Sequence, residues 1–253
     1  MNDRCECLIL SETDYKDNSL LLNVLTKEFG KLSFIASGVK KNTSKNACNI
    51  LLYTKSEFLF DYKEGKTIFR LKSAKTIDYY RYMHEDLECI AASSLLSEAS
   101  NAILFQDSDF DLQQEVYLNL EEAYKYLNEK VNTKLILAIY ITKLLQDFGS
   151  GMEVDSCISC GKTTVSAFSI QDGGFLCSEC AAKNHIPLSK PTVLKAIRYV
   201  NKAELNQFSL VKENIDIREI PLDTIISFYE THVGVKLKSF SFYKRFLPLN
   251  EAN

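Results

Sequence analysis

Two Cys-x-x-Cys pairs constrain this 253-residue chain more than any other feature of its sequence. Cys157 and Cys160 form the first pair, Cys177 and Cys180 form the second, and sixteen residues separate the pairs. Two residues between cysteines allow a tight turn that directs both sulfur atoms at one metal ion about 2.3 Å away. Because four thiolates leave no open coordination position, the spacing predicts one structural Zn2+ ion rather than a catalytic one.

The segment between the two pairs indicates how this site is built. Residues 164–170 have the pattern of a strand, and Gln171-Asp172-Gly173-Gly174 is typical of the turn that follows it. The chain then returns to the second pair, so we expect a hairpin with a ligand pair at each end. Unrelated thiols or a redox pair are the alternatives. His185 lies five residues beyond Cys180 and is a possible substitute ligand, but four cysteines already suffice.

Composition places the chain among ordinary globular proteins. Hydrophobic residues make up 46% of the sequence and charged residues 25%, which excludes a collagen-like or disordered chain. No apolar run approaches the roughly 20 residues that span a bilayer, and the N-terminus lacks a signal-peptide cleavage pattern. We therefore expect a cytoplasmic protein without membrane contact, whose other cysteines are ordinary reduced thiols: Cys5, Cys7, Cys48 and Cys89.

Alternation of apolar and polar residues dominates the first 77 positions. The alternating runs are short and bounded by polar or glycine-containing turns, which is typical of antiparallel strands. The predicted strands cover residues 5–10, 19–26, 31–37, 57–62 and 67–75. Five short strands suit a small closed barrel, so we predict an OB-fold β-barrel, and an SH3-like barrel fits almost as well.

The predicted barrel is basic, whereas the chain as a whole carries a net charge of −3. Its 77 residues contain 13 basic and 9 acidic side chains, while residues 78–150 contain 5 and 13. One loop, residues 37–46 and called the basic loop below, has three lysines and no acidic residue. Lysines with Ser, Thr and Asn attract phosphates, so we predict contacts to nucleic-acid phosphates by Lys40, Lys41 and Lys45. The patch is extended along neighbouring strands by Lys31, Lys55, Arg70, Lys72 and Lys75. The alternative is that these lysines only solubilise a hairpin.

Aromatic residues of the barrel are candidates for stacking on nucleic-acid bases. They are Tyr53, Phe58, Tyr62 and Phe69. Because alternating rings in a small barrel usually fill its core, we favour a core role for them.

The rest of the chain has helical periodicity. Apolar stripes predict helices over residues 84–105, 112–127 and 133–148 before the cysteine pairs, and over 189–200 and 221–233 after them. Ser189 is the predicted cap of the fourth helix, with Pro191 in its first turn. The final segment, residues 236–247, interleaves basic and aromatic residues. It either contacts nucleic acid or, as we favour, docks on the core through its aromatic residues.

No catalytic pattern is recognisable in the sequence. It has no Walker loop, no Rossmann glycine pattern, no His-Glu-x-x-His and no nucleophile elbow. We therefore predict a binding protein without enzymatic activity and without a small-molecule substrate. A zinc-stabilised transcription factor or adaptor is the alternative, and a hydrolase with an unrecognised site is a third class.

The order of these features resembles the bacterial recombination mediator family RecO. Three stretches carry the resemblance: residues 14–38 (DYKDNSLLLNVLTKEFGKLSFIASG), the basic residues 39–45, and residues 157–180 (CISCG…FSIQDGGFLCSEC). The family implies an α+β multi-domain protein with an OB fold over residues 1–78. It also implies an all-helical domain over 79–253, into which a zinc finger with four cysteine ligands is inserted over 154–183. By this resemblance Lys40, Lys41 and Lys45 fall in the family's basic loop, and the four paired cysteines fall on its zinc ligands.

The resemblance also implies a function. Members of the family bind single- and double-stranded DNA, anneal complementary strands, and help to load recombinase onto DNA coated by single-strand-binding protein. The implied partners are RecR and the C-terminal tail of single-strand-binding protein, and the implied location is the cytoplasm, at the nucleoid during repair. The chain departs from the family in having lysine where arginine is frequent in the basic loop. Arginine holds phosphates bidentately and lysine does not, so this departure affects the expected DNA affinity and not the expected role.

Overall fold

The computed structural model describes residues 3–105 and 108–246. The chain forms two compact units, Met1–Asn128 and Glu129–Asn253, called the first and second unit below. The first unit combines the predicted strands with the helices that directly follow them. The predicted domain bounds, 1–78 and 79–253 with a finger over 154–183, stay predictions.

A six-stranded sheet forms the N-terminal part of the first unit. Its strands are β1 (Asp3–Asp14), β2 (Leu20–Thr26), β3 (Gly30–Ala36), β4 (Lys55–Phe60), β5 (Ile68–Arg70) and β6 (Ser73–Asp78). The spatial order is β5-β3-β2-β1-β4-β6, with β3 and β5 parallel and the other pairs antiparallel. Only two residues separate the edge strands β5 and β6 along the chain, so the sheet has to curl.

The fifth predicted strand, residues 67–75, is interrupted in the structure. The backbone N–H of Leu71 donates to the carbonyl of Ile35 at 3.0 Å, and that of Lys72 donates to the carbonyl of Leu59 at 2.9 Å. The chain therefore changes partner from β3 to β4 between these two residues. This change depends on strands that are distant in sequence, which is why alternation alone does not reveal it.

Large aromatic residues fill the interior of the curled sheet. Phe34 meets Phe58 and Phe60 edge-to-face, with ring centroids 5.2 and 5.0 Å apart, and Phe69 packs beside them. All four rings are buried. The expectation that the aromatic residues form the core is confirmed for Phe58 and Phe69.

Three helices complete the first unit: α1 (Arg81–Glu85), α2 (Leu87–Ile103) and α3 (Phe110–Asn128). The single helix predicted over residues 84–105 is broken, because Asp86 is extended and caps α2 by accepting the N–H of Cys89 at 2.9 Å. The apolar stripe predicted for α3 is buried, and it includes Val116, Leu120 and Leu127.

The second unit is mainly helical. Its elements are α4 (Thr133–Asp147), β7 (Ala167–Ser169), β8 (Gly174–Leu176), α5 (Ser178–Lys183), α6 (Pro191–Lys202), α7 (Phe208–Asn214), α8 (Leu222–Val233) and α9 (Lys238–Tyr243). The predicted cap at Ser189 is wrong. Lys190 precedes α6 without a side-chain cap, and the N–H of Ser189 donates to the carbonyl of Ser166 at 2.9 Å. Leu247, the end of the predicted C-terminal segment, lies outside the described residues.

Among the helices of the described residues, none has both the length and the apolarity needed to cross a bilayer.

Candidate metal centre and nucleic-acid interface

The two cysteine pairs come together at one point. The sulfur atoms of Cys157, Cys160, Cys177 and Cys180 all lie within 4.8 Å of one another, and those of Cys160 and Cys177 are 3.7 Å apart. We call this group the four-cysteine cluster. The predicted hairpin between the pairs is confirmed, with β7 and β8 antiparallel. The cluster has the donor set and the compactness of a metal-binding site. His185 is exposed and is not part of it.

Backbone geometry around the first pair favours ionised sulfur. Gly161 has a φ of +76° and donates its N–H to the carbonyl of Cys157 at 2.8 Å, which closes the tight turn. Burial alone would raise the pKa of Cys157, but hydrogen bonds from the backbone of Cys177, Cys160 and Ser159 lower that pKa to about 6. This thiol can therefore become a thiolate ligand near neutral pH.

The pKa values of the second pair of cysteines shift in opposite directions. Hydrogen bonding to Cys160 and Cys177 raises the pKa of Cys180 to about 12. The pKa of Cys177 is lowered, chiefly by the backbone N–H of Cys180. The cluster thus holds protons that a bound cation would displace.

The four-cysteine cluster also belongs to a small apolar core. Cys157 and Cys177 pack with Ala167, Leu176 and Ala181.

The basic loop and the residues directly after it are attached to the curled sheet through two asparagine side chains. The Oδ1 of Asn46 accepts the N–H of Ala74 at 3.1 Å, and the Oδ1 of Asn49 accepts the N–H of Thr76 at 3.1 Å. Both donors lie on the edge strand β6. Lys45 is consequently positioned beside β6. Lys40, Lys41 and Lys45 are exposed, and Lys40 forms an ion pair with Asp14.

The structure does not bring Lys31 to this surface. Its Nζ donates to the carbonyls of Leu104 at 2.7 Å and Asn101 at 3.0 Å, at the C-terminal end of α2. Burial lowers the pKa of its ammonium group. Lys55, a second candidate extension of the patch, is held between Glu6 and Glu121, 2.8 Å from each.

Arg70 and Lys72 instead line a cleft of about 410 Å³ at the end of the sheet. We call it the basic cleft, and its lining is Asp61, Tyr62, Lys63, Lys66, Ile68, Phe69, Arg70 and Lys72. Sequence reasoning missed Lys63 and Lys66, because both belong to the segment Lys63-Glu64-Gly65-Lys66, whose pattern indicates only a turn. The presence of two lysines within one four-residue turn was the sequence signal that could have identified them. Lys72 pairs with Asp61 at 2.5 Å.

Tyr62 is the exposed aromatic residue of the basic cleft. Its ring stacks on Phe29 with centroids 4.7 Å apart and on Phe69 with centroids 5.7 Å apart. The residue nevertheless remains 42% exposed. The core role favoured for Tyr62 from the sequence is therefore wrong, and its ring is held in a fixed orientation at a basic surface.

A curled sheet, the helices that follow it and a four-cysteine cluster define the class of this chain as an α+β protein with a candidate metal site. The family is more specific. Residues 1–80 match the model of the Recombination protein O N terminal domain, and residues 84–240 match that of the Recombination protein O C terminal domain. The chain therefore belongs to the Recombination protein O family.

Similar proteins match over nearly the whole chain. The DNA repair protein RecO of Bacillus pumilus is 28% identical over 244 residues, which cover 94% of this chain and 92% of the relative. The protein of the same name from Mesoplasma florum is 26% identical, covering 90% of this chain and 85% of the relative. The protein of the same name from Halalkalibacterium halodurans is 25% identical, covering 100% of this chain and 96% of the relative.

Proposed function

We propose that this chain is a DNA-binding protein of recombinational DNA repair that breaks no covalent bond. Membership of the Recombination protein O family and the name shared by its relatives support this function. In the proposed role it anneals complementary strands. With RecR it also helps to load recombinase onto DNA coated by single-strand-binding protein, whose C-terminal tail is a further partner.

We assign the curled sheet to the OB type. Its first three strands form an antiparallel meander, β3 pairs in parallel with β5, and β1 pairs with β4. Counting the interrupted β5 and β6 as one bent strand leaves five strands, the number in an OB fold. The loop between the fourth and fifth strands of such folds binds oligonucleotides. In this chain that loop is residues 61–67, which provide half of the lining of the basic cleft.

The basic cleft is the observation that carries the proposal. Lys63, Lys66 and Arg70 form no ion pair among the described residues, so their charges are available to phosphates. Tyr62 presents a ring on which an unpaired base can stack, and stacking is tolerant of sequence because every base has a π face. The end of the basic loop meets the lining of the cleft, because the Nδ2 of Asn46 donates to the carbonyl of Lys72 at 3.4 Å. Cations that neutralise two phosphate backbones remove the repulsion that opposes strand annealing.

We propose that the four-cysteine cluster holds one structural Zn2+ ion. An ion with four sulfur ligands at about 2.3 Å in a tetrahedron requires sulfur–sulfur distances of about 3.8 Å. The 3.7 Å between the sulfur atoms of Cys160 and Cys177 fits this requirement. The ion would fix the β7–β8 hairpin and supply no chemistry to a substrate.

A salt titration tests the cleft. Binding of a fluorescent oligo-dT strand is measured by anisotropy at several salt concentrations for wild type and for Lys63→Ala/Lys66→Ala/Arg70→Ala. Three lost phosphate contacts should lower the slope of log K against log salt by about 2, at roughly 0.7 per contact. Tyr62→Ala should weaken binding about 5- to 150-fold with the slope unchanged, because one base loses its stacking partner.

Arg81→Ala is the matched control, because Arg81 is exposed on the same unit and pairs with Glu85. An unchanged affinity and slope in the triple variant would exclude the basic cleft as the binding site. A strong preference of the wild type for one duplex sequence over random DNA would support the transcription-factor alternative instead.

A further inference from the structure

A short segment at the end of the second unit shows aromatic rings among positive charges. Residues 236–246, called the C-terminal segment below, contain four basic side chains and no acidic one. The segment includes α9 and is distinct from the basic cleft, which lies in the first unit. Its basic residues are Lys236, Lys238, Lys244 and Arg245.

The two sides of α9 differ in burial. Phe240 and Tyr243 are buried, and the hydroxyl of Tyr243 is 2.7 Å from the Oγ1 of Thr133. These contacts anchor the segment on its own unit, as favoured from the sequence. Phe242 is left 38% exposed and touches Phe246 edge-to-face, with centroids 5.0 Å apart. This second pair of rings is not required for the anchor.

Acidic groups offset part of the charge of the segment. Asp223 pairs with Lys244 at 2.9 Å, and Glu230 accepts the backbone N–H of Leu237 at 2.9 Å. Within the described residues Lys236 and Arg245 form no ion pair. The surface around the exposed rings is therefore positive, and its complement is a polyanion that also carries flat apolar groups.

We propose that the C-terminal segment binds a second single strand of nucleic acid, so that one molecule holds two strands at once. Phosphates lie against Lys236 and Arg245, and a base stacks on the exposed ring of Phe242. This inference rests on the proposed DNA-binding function and extends it. It gives annealing a physical basis, because two strands bound to the same molecule meet at a much higher effective concentration than two free strands.

The stoichiometry of oligo-dT binding tests this inference on the full chain. Sedimentation of a labelled 12-nucleotide strand with wild type at low salt should show two strands bound per chain. Phe242→Ala/Phe246→Ala should bind one strand, with affinity for the second strand reduced at least tenfold, and should anneal complementary strands at least tenfold more slowly. Leu210→Ala is the matched control, because Leu210 is 55% exposed on the same unit and lies outside the segment. It should behave as wild type.

The outcomes separate this inference from the proposed function. One strand per wild-type chain would overturn the second site while leaving DNA binding by the first unit in place. Two strands per chain in the double Phe variant, with normal annealing, would also overturn it. Normal strand binding by that variant with loss of a protein partner would assign the rings to a protein interface. A wild type that binds no strand would refute the proposed function itself.

Discussion

Replacing Lys31 by methionine is expected to destabilise the first unit without weakening DNA binding. The Nζ of Lys31 is 2.7 Å from the carbonyl oxygen of Leu104 and 3.0 Å from that of Asn101. These carbonyls lie at the end of α2, where the helix has no N–H groups of its own to bind them. Methionine keeps the apolar stem of the side chain and removes the charge that satisfies both oxygens.

The size of the effect follows from these two hydrogen bonds. Each bond from a charged donor contributes about 1.5–3 kcal/mol, and a cation at a helix C-terminus adds about 0.5 kcal/mol. Partial exposure, the cost of desolvating the ammonium and the ordering of a long side chain offset more than half of that sum. We expect a net loss of about 2 kcal/mol and a fall in melting temperature of roughly 4–8 °C.

Thermal unfolding measures the stability of each variant, and oligo-dT anisotropy measures its DNA binding on the same samples. Lys41→Met is the control, since Lys41 is exposed in the basic loop. It should leave the melting temperature unchanged and lower the salt slope by about 0.7. The reasoning is refuted if Lys31→Met melts like wild type and lowers the salt slope as Lys41→Met does. Lys31 would then be the phosphate contact that the sequence predicted.

Three further predictions concern the sheet, the cluster and the hairpin. Burial alone would raise the pKa of Glu121, but the ion pair with Lys55 holds that pKa below 4.5. The stabilisation that this ionised carboxylate provides is therefore present above pH 4.5, and it is lost as the pH falls through the lower pKa of the folded state. Glu121→Gln should therefore flatten the acid dependence of urea unfolding, and an unchanged dependence would contradict this. Metal analysis should find about one zinc ion per chain in wild type and in Cys48→Ser but none in Cys157→Ser, and equal zinc in the two variants would count against the cluster. Gly174→Ala should lower the melting temperature of the second unit, because its Cβ would lie 2.4 Å from the carbonyl oxygen of Glu153, and a wild-type melting curve would show that the hairpin can move aside.

Local patterns predicted the parts of the molecule that depend on neighbours in sequence. The cysteine spacing led to the four-cysteine cluster because each pair needs only a two-residue turn and the hairpin between them is short. The strands before residue 63 follow from alternation for the same reason. Lys31 was misplaced because its partners lie about 70 residues away, at the end of a helix. The set of basic residues predicted around Arg70 and Lys72 was incomplete for a similar reason. The change of strand partner at Leu71 and Lys72 brings Arg70 and Lys72 close to the loop that carries Lys63 and Lys66.

The hydrogen bonds that Asn46 and Asn49 accept from β6 affect how the chain can associate with its own copies. An uncovered edge strand offers its backbone N–H groups to strands of other molecules and so promotes aggregation. In this chain Asn46 and Asn49 occupy the N–H groups of Ala74 and Thr76. The same contacts that hold the basic loop in place therefore also keep neighbouring copies from adding to the sheet.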